Sequence, residues 1–354
     1  MNKKTPMKVL LAVLLICGLF WLGLSGKESK EEEKRYNATF FEMFDTKTDI
    51  VGYGTSEEEF KAQADLLKEK LTYYNNLFDI YHDYEGINNI KTINDNAGKQ
   101  PVVVDEEIIE LLKFCKEMYE RSDRQVNVAM GSVLSIWHEY REEGRDNPER
   151  AAVPEMAELK EAENNTDINH LVIDEEAKTV YLDNPEMSLD VGGIGKGYAV
   201  QKLAEYAEEI GMDSLLISVG GNVCAVGAKK DGTPWTVGIQ NPDMSSEERY
   251  IGKVEVEDKS VVTSGDYQRY YEVDGVRYCH IIDPDTLMPA DYFASVTIIA
   301  EDSGIADAMS TAVYNMTLEE GLEFVNGLEG IEAMWIMKDG SVHYSENFEE
   351  YLGK

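Results

Sequence analysis

Ser188-Leu-Asp-Val-Gly-Gly-Ile-Gly-Lys-Gly-Tyr-Ala199 is the stretch on which the reading of this chain turns. It opens as an extended apolar piece and then packs four glycines into the six residues Gly192–Gly197. From Tyr198 to Ile210 the apolar residues recur at helical spacing, which predicts a strand, a glycine turn carrying Lys196, and a helix start. That order makes a phosphate receptor, because glycine lets a ligand approach the backbone N–H groups and a helix start adds partial positive charge. The turn is not a Walker A loop, since Gly197 rather than Ser or Thr follows Lys196. It also departs from the dinucleotide fingerprint, with Tyr198 where a third glycine would stand. On spacing alone, a phosphate receptor and a merely structural strand-to-helix turn both remain open.

Outward from that turn, the chain is a mixture of strands and helices without regular βαβ alternation, which predicts an α+β fold of mixed sheets flanked by helices. Ser56-Glu-Glu-Glu59 predicts a capping box opening a helix whose buried face is Phe60, Ala64, Leu67, Leu71, Tyr74, Leu77 and Tyr81. Asp105 is the expected N-cap of a second helix, running to Tyr119. Thr39–Tyr53 is expected as one strand, Val126–Gly131 as a strand and turn before a helix holding Trp137, and the acidic run Glu142–Asn165 as an exposed insertion. Hairpins are expected over His170–Leu182 and around Asp274-Gly275, and a helix over Ser303–Met316.

Charge narrows the function. The 354 residues hold 33 Lys and Arg against 68 Asp and Glu, a net charge of −35, which disfavours nucleic acid and anionic lipid as partners. It also repels a diphosphate ligand, so such a ligand requires a local receptor or a bound cation. Cys17, Cys115, Cys224 and Cys279 show neither a CxxC pair nor metal spacing. At the N-terminus Lys3, Lys4 and Lys8 precede the apolar stretch Val9–Leu24. This predicts a signal peptide or membrane anchor over residues 1–26, a charged linker over 27–37, and the folded body of the protein over 38–354 on the extracytoplasmic side of the cell membrane. Leu14-Leu15-Ile16 before Cys17 lacks the small residue that precedes a lipidated cysteine, so an uncleaved anchor or a cleaved signal is favoured over lipidation.

Asp307 and Thr311 stand four residues apart on one helical face and offer two hard oxygen ligands suited to Mg²⁺, or else belong to an ordinary solvated helix. His280-Ile-Ile-Asp-Pro284 ends a strand in a turn, where His280 is either a proton acceptor beside a ligand or a half-buried histidine satisfied by backbone. Thr263-Ser-Gly-Asp-Tyr267 and Ser218-Val-Gly-Gly-Asn222 are further polar turns.

Taken in order, Leu189–Ala199, Ser218–Asn222, Thr263–Asp266, His280–Pro284 and Ala306–Ala312 resemble the motifs of the ApbE family of FAD:protein FMN transferases, with Phe41–Thr46 resembling its opening strand and Ala129–Gly131 its flavin-contacting turn. The resemblance spans about residues 38–350. It implies flavin or FAD-phosphate contacts at Met43, Tyr81, Ala129, Met130, Gly131, Asp190, Lys196 and Ile281, and Mg²⁺ ligation by the Gly193 carbonyl, Asp307 and Thr311. Gly195 stands where many members carry Ala. The implied reaction uses FAD as substrate: a threonine or serine hydroxyl of an extracytoplasmic flavoprotein attacks the FMN phosphorus and AMP leaves, with Mg²⁺ offsetting charge. His280 is the expected base, with Asp266 behind it. Two alternatives stay open: an FAD pyrophosphatase, in which water replaces the hydroxyl, and a flavin-binding protein without chemistry.

Overall fold

A computed structural model of the chain describes residues 33–41 and 43–353. The expected N-terminal anchor or signal, with Cys17, lies outside the described residues. Among the described residues no helix is long and apolar enough to cross a membrane. Lys34–Phe40 is already a strand, so the domain starts inside the stretch expected as linker.

The centre is an eight-stranded antiparallel sheet in the spatial order Lys34–Phe40, Thr48–Gly54, Leu215–Val219, Asn222–Val226, Lys259–Gly265, Phe293–Ala300, Glu332–Met337, Val342–Tyr344. One face carries the helices Glu57–Phe78, Gly195–Glu209 and Ser303–Tyr314, packed through Leu67, Leu71, Leu203, Met309 and Val313. The other packs on the Trp235–Gln240/Tyr250–Val256 hairpin through Trp235, Val254, Val261, Ile299 and Met334. Alternation of side chains along each strand separates these two cores. Val102–Val103, Thr179–Leu182 and Leu171–Asp174 form a small second sheet, and Tyr270–Val273 pairs with Val276–Cys279.

Most helices follow the sequence pattern. In Glu57–Phe78 the expected face is buried from Phe60 to Leu77, while Tyr81 lies past the helix end and is half exposed. Ser56 caps this helix by accepting from the Glu59 N–H at 3.1 Å, but the Glu59 carboxylate accepts from the Thr55 N–H at 3.2 Å, so the box is not reciprocal. Asp105 caps Glu106–Arg121.

Other expectations are corrected. Thr39–Tyr53 is two strands around a 3₁₀ turn, Met43–Asp45, because Phe44 and Asp45 take left-handed φ values of 51° and 52° that no strand allows. Val126–Gly131 is not a strand. The Asn127 side chain accepts from the Ala129 N–H at 2.9 Å and starts a 3₁₀ turn, Val128–Met130, that runs directly into the helix Gly131–Asp146. Glu142–Asn165 is not a loose insertion, since Leu159 of the helix Met156–Glu163 is fully buried. Tyr250–Val256 and Lys259–Gly265 are strands that the polar residues around them conceal, and Lys259–Gly265 takes in part of the stretch expected as a Thr263–Tyr267 turn.

Candidate active site

Ser188–Val191, expected as a strand, joins no sheet. Its backbone bonds go instead to the Asn94 carboxamide, which accepts from the Leu189 N–H at 2.7 Å and donates to the Leu189 carbonyl at 2.9 Å. The Asp190 N–H donates to the Val128 carbonyl at 2.8 Å, and the Gly131 N–H to the Ser188 carbonyl at 3.1 Å. Gly131 is required by this contact, since a Cβ there would stand 2.4 Å from Ser188 Oγ. Two segments far apart in sequence, Val128–Gly131 and Ser188–Asp190, are thus locked together.

The glycine turn that follows is not a nest of free amides. Gly192 N–H donates to Asp190 Oδ1 at 2.8 Å, Ile194 and Gly195 N–H to the Val191 carbonyl, and Gly197 N–H to Asp307 Oδ2 at 2.7 Å. None of these glycines has left-handed φ. They serve close approach: a Cβ on Gly197 would lie 2.3 Å from Asp307 Cβ and 2.4 Å from the Ser303 carbonyl oxygen. Glycine here lets the helices Gly195–Glu209 and Ser303–Tyr314 touch, which brings the turn against Asp307 and Thr311.

That contact makes the first wall of the site. Thr311 Oγ1 lies 3.5 Å from the Gly193 carbonyl oxygen. Asp307 is buried, so the solvated-helix alternative falls. No cationic side chain forms an ion pair with Asp307 among the described residues, and burial pushes its carboxyl up, with Lys196 and then the Gly197 N–H pulling it back. Burying a carboxylate without a counter-charge is costly, and a hard cation would offset that cost. The donor set fits Mg²⁺: one carboxylate, one hydroxyl and one carbonyl, leaving positions for ligand oxygens. Among the described residues no cluster of three or more His, Cys, Asp or Glu could cage an ion by protein groups alone.

The second wall is basic. His280 is partly buried, its N–H donates to the Arg269 carbonyl at 3.1 Å, and its Nδ1 has no hydrogen-bond partner, so the imidazole is not satisfied by backbone. Burial, then Arg269, Arg141 and Lys196, lower its pKa to about 3, which leaves it neutral at physiological pH. Asp266 does not stand behind it. Its carboxylate is taken by Lys338 Nζ at 2.5 Å and Arg277 at 3.6 Å, and it makes no hydrogen bond to His280. Burial raises the Asp190 carboxyl, while the Gly192 N–H and then His138, Arg141 and Arg269 lower it. Tyr81 keeps half its surface in solvent, its ring 5.2 Å from that of His138, and desolvation and then Asp190 push its phenol to about 12. His138 Nδ1 meets the Arg141 guanidinium at 2.6 Å.

His138, Arg141 and Arg269 are therefore site residues that sequence reasoning missed. The first two sit three apart on one helix, but inside a highly acidic stretch they carry no recognisable pattern. Met43, Ala129, Met130 and Ile281 are all buried, Ala129 and Met130 in the turn locked against Ser188–Asp190, and the His280–Thr286 turn is closed as expected, with Thr286 Oγ1 donating to Asp283 at 2.9 Å. Trp137 Nε1 donates to the Leu287 carbonyl at 2.9 Å and so ties the Arg141 helix to that turn.

A family model described as "ApbE family" matches residues 44–335. A FAD:protein FMN transferase of Treponema pallidum is 35% identical over 270 residues, covering 72% of each chain. One of Klebsiella pneumoniae is 31% identical, covering 72% of this chain and 76% of its own. The crystal structure of the ApbE protein of Thermotoga maritima superposes with a TM-score of 0.79 at 30% identity, over 91% of this chain and 100% of that one. With the ordered motifs and the Gly193–Asp307–Thr311 corner they build, the chain belongs to the ApbE family.

Proposed function

We propose that this protein transfers FMN from FAD to a threonine or serine hydroxyl of another protein; its T. pallidum and K. pneumoniae relatives are named FAD:protein FMN transferases. The observation that carries this reading is the corner where the Lys196-bearing glycine turn meets Asp307 and Thr311, with Gly197 N–H donating to Asp307 Oδ2 at 2.7 Å and Thr311 Oγ1 lying 3.5 Å from the Gly193 carbonyl oxygen. In a protein of net charge −35, Lys196, Arg141 and Arg269 supply the local positive field that a diphosphate needs. Met43, Ala129, Met130 and Ile281 offer buried apolar surface suited to a flavin ring, and Tyr81 an exposed aromatic face.

Gly193, Asp307 and Thr311 would hold Mg²⁺, which when bound neutralises diphosphate charge and polarises phosphoryl oxygens. The acceptor hydroxyl oxygen forms a bond to the FMN phosphorus as the bond to the AMP oxygen breaks. AMP departs with that electron pair. The hydroxyl proton passes to His280, which burial and its cationic neighbours keep neutral in the free protein and whose basicity rises when the diphosphate's negative charge offsets Arg269, Arg141 and Lys196. Lys196, Arg141 and Arg269 hold the diphosphate while its charge redistributes. Incubating the protein with FAD, Mg²⁺ and a candidate acceptor domain should add one FMN to the acceptor's intact mass and release AMP. AMP release without any added mass would make it a pyrophosphatase.

We also propose that the domain acts outside the cytoplasmic membrane on an extracytoplasmic flavoprotein, a reading supported by Lys3, Lys4 and Lys8 before Val9–Leu24. Protease added to intact spheroplasts should digest the domain, and full protection would contradict this.

A further inference from the structure

Asn222 follows the two-residue turn Gly220-Gly221, whose φ values of 54° and 95° suit a hairpin that pairs Val219 with Asn222. Its other backbone edge pairs with Val262, so its position is set from both sides. Alternation along Asn222–Val226 places Asn222 on the same face as Cys224 and Val226, which belong to the apolar core beneath the helices. A carboxamide is out of pattern there. It is 1% exposed, and neither Oδ1 nor Nδ2 has a hydrogen-bond partner. Among the described residues it is the one carboxamide with both its oxygen and its nitrogen buried and unpaired. Leaving such groups unpaired in an interior is costly, so a carboxamide kept at this position calls for a polar neighbour.

The strand that begins at Asn222 packs against the helix Ser303–Tyr314 that carries Asp307, and the Asn222 carboxamide is among the groups that pull the buried Asp307 carboxyl back down. Asp307 Oδ2 already accepts from Gly197 N–H, so one carboxylate oxygen is fixed and the other is not. We propose that Asn222 is a positioning residue of the cation corner, its amide orienting the Asp307 carboxylate to receive Mg²⁺ with the FAD diphosphate. This rests on the metal reading given above. Groups that orient a metal-binding carboxylate contribute to affinity without touching the ion.

The test separates a positioning role from a structural one. Melting temperatures of the full chain are measured in EDTA, and again in an Mg²⁺ titration at fixed FAD, for wild type, Asn222→Leu, Asn222→Ser and Asp307→Ala. Asn222→Leu should melt in EDTA at or above the wild-type temperature, because it removes two unpaired polar groups at similar volume. Its Mg²⁺ midpoint should rise about tenfold, within the range typical for residues that orient a metal ligand. Asn222→Ser, smaller and still polar, should fall between the two and serves if the leucine does not fold. Asp307→Ala should lose the Mg²⁺ response. A wild-type Mg²⁺ midpoint in both Asn222 variants, with the response lost in Asp307→Ala, would overturn the Asn222 assignment alone. No Mg²⁺ response in wild type would overturn the metal reading and this inference with it.

Discussion

The two walls of the site are built in opposite ways. The acidic wall joins only two short segments: a glycine turn at 192–197 meets Asp307 and Thr311, one helical turn apart, through a single close helix contact. The basic wall takes Arg141 from one helix, shares Lys196 with the glycine turn, and takes Arg269 and His280 from the two ends of a hairpin. The first depends on close packing, with Gly197 so near Asp307 that a methyl group cannot enter. The second depends on charge gathered at a distance in a chain whose overall charge is strongly negative. A wall of the first kind should break under small steric changes. A wall of the second kind should weaken by degrees as charges are removed.

The largest effect expected is at Asp307. Asp307→Ala should lower Mg²⁺-dependent FMN transfer by about 10³-fold or more, in line with loss of ~4 kcal/mol of transition-state stabilisation. Circular dichroism should show the fold retained. Gly197→Ala comes next. Its methyl would collide with Asp307 Cβ and the Ser303 carbonyl, outweighing the gain in helix propensity, and should cost about 2 kcal/mol in chemical denaturation. If Gly197→Ala were as stable and active as wild type, the close-packed account of this wall would fail. On the basic side, Arg269→Ala and Arg141→Ala should each raise the KM for FAD about tenfold with little change in stability. The losses should shrink as salt rises, because the charges act through partly solvated space.

The smallest effect concerns pH. Folded His280 is held neutral, with its pKa lowered to about 3, whereas the unfolded chain takes up the proton near the ordinary value of about 6.5. Its contribution to stability is therefore full above pH 6.5 and is lost progressively as pH falls towards 3. His280→Gln should remove that part of the acid sensitivity, about 1 kcal/mol at pH 5 after allowing for partial exposure. The acid limb of kcat/KM for the wild type should lie below pH 6.5 for the same reason.

Legibility in the sequence followed the same division. The helix Glu57–Phe78, the Asp105 cap and the Asp307/Thr311 pair are local patterns set by periodicity and spacing, and the structure places each as expected. The glycine turn was recognisable as a possible phosphate receptor, but the Gly192, Ile194, Gly195 and Gly197 amides bond within the protein, the last to Asp307, 110 positions away. Asp266 could not be separated from His280 by sequence, since Lys338, which claims its carboxylate, is 72 positions distant. Val126–Gly131 looked like a strand by composition, until the Asn127 side chain turned it into a helix start. Arg141 and Arg269 were hidden because their grouping exists only after folding.

The most direct test of the central claim, that two walls of unlike chemistry hold one diphosphate, is an FAD titration of wild type and Asp307→Ala by flavin fluorescence, with and without Mg²⁺. The account predicts that Mg²⁺ tightens FAD binding at least tenfold in wild type and has no effect in Asp307→Ala, which keeps the weaker binding of the basic wall alone. Equal FAD affinity with and without Mg²⁺ in the wild type would contradict it.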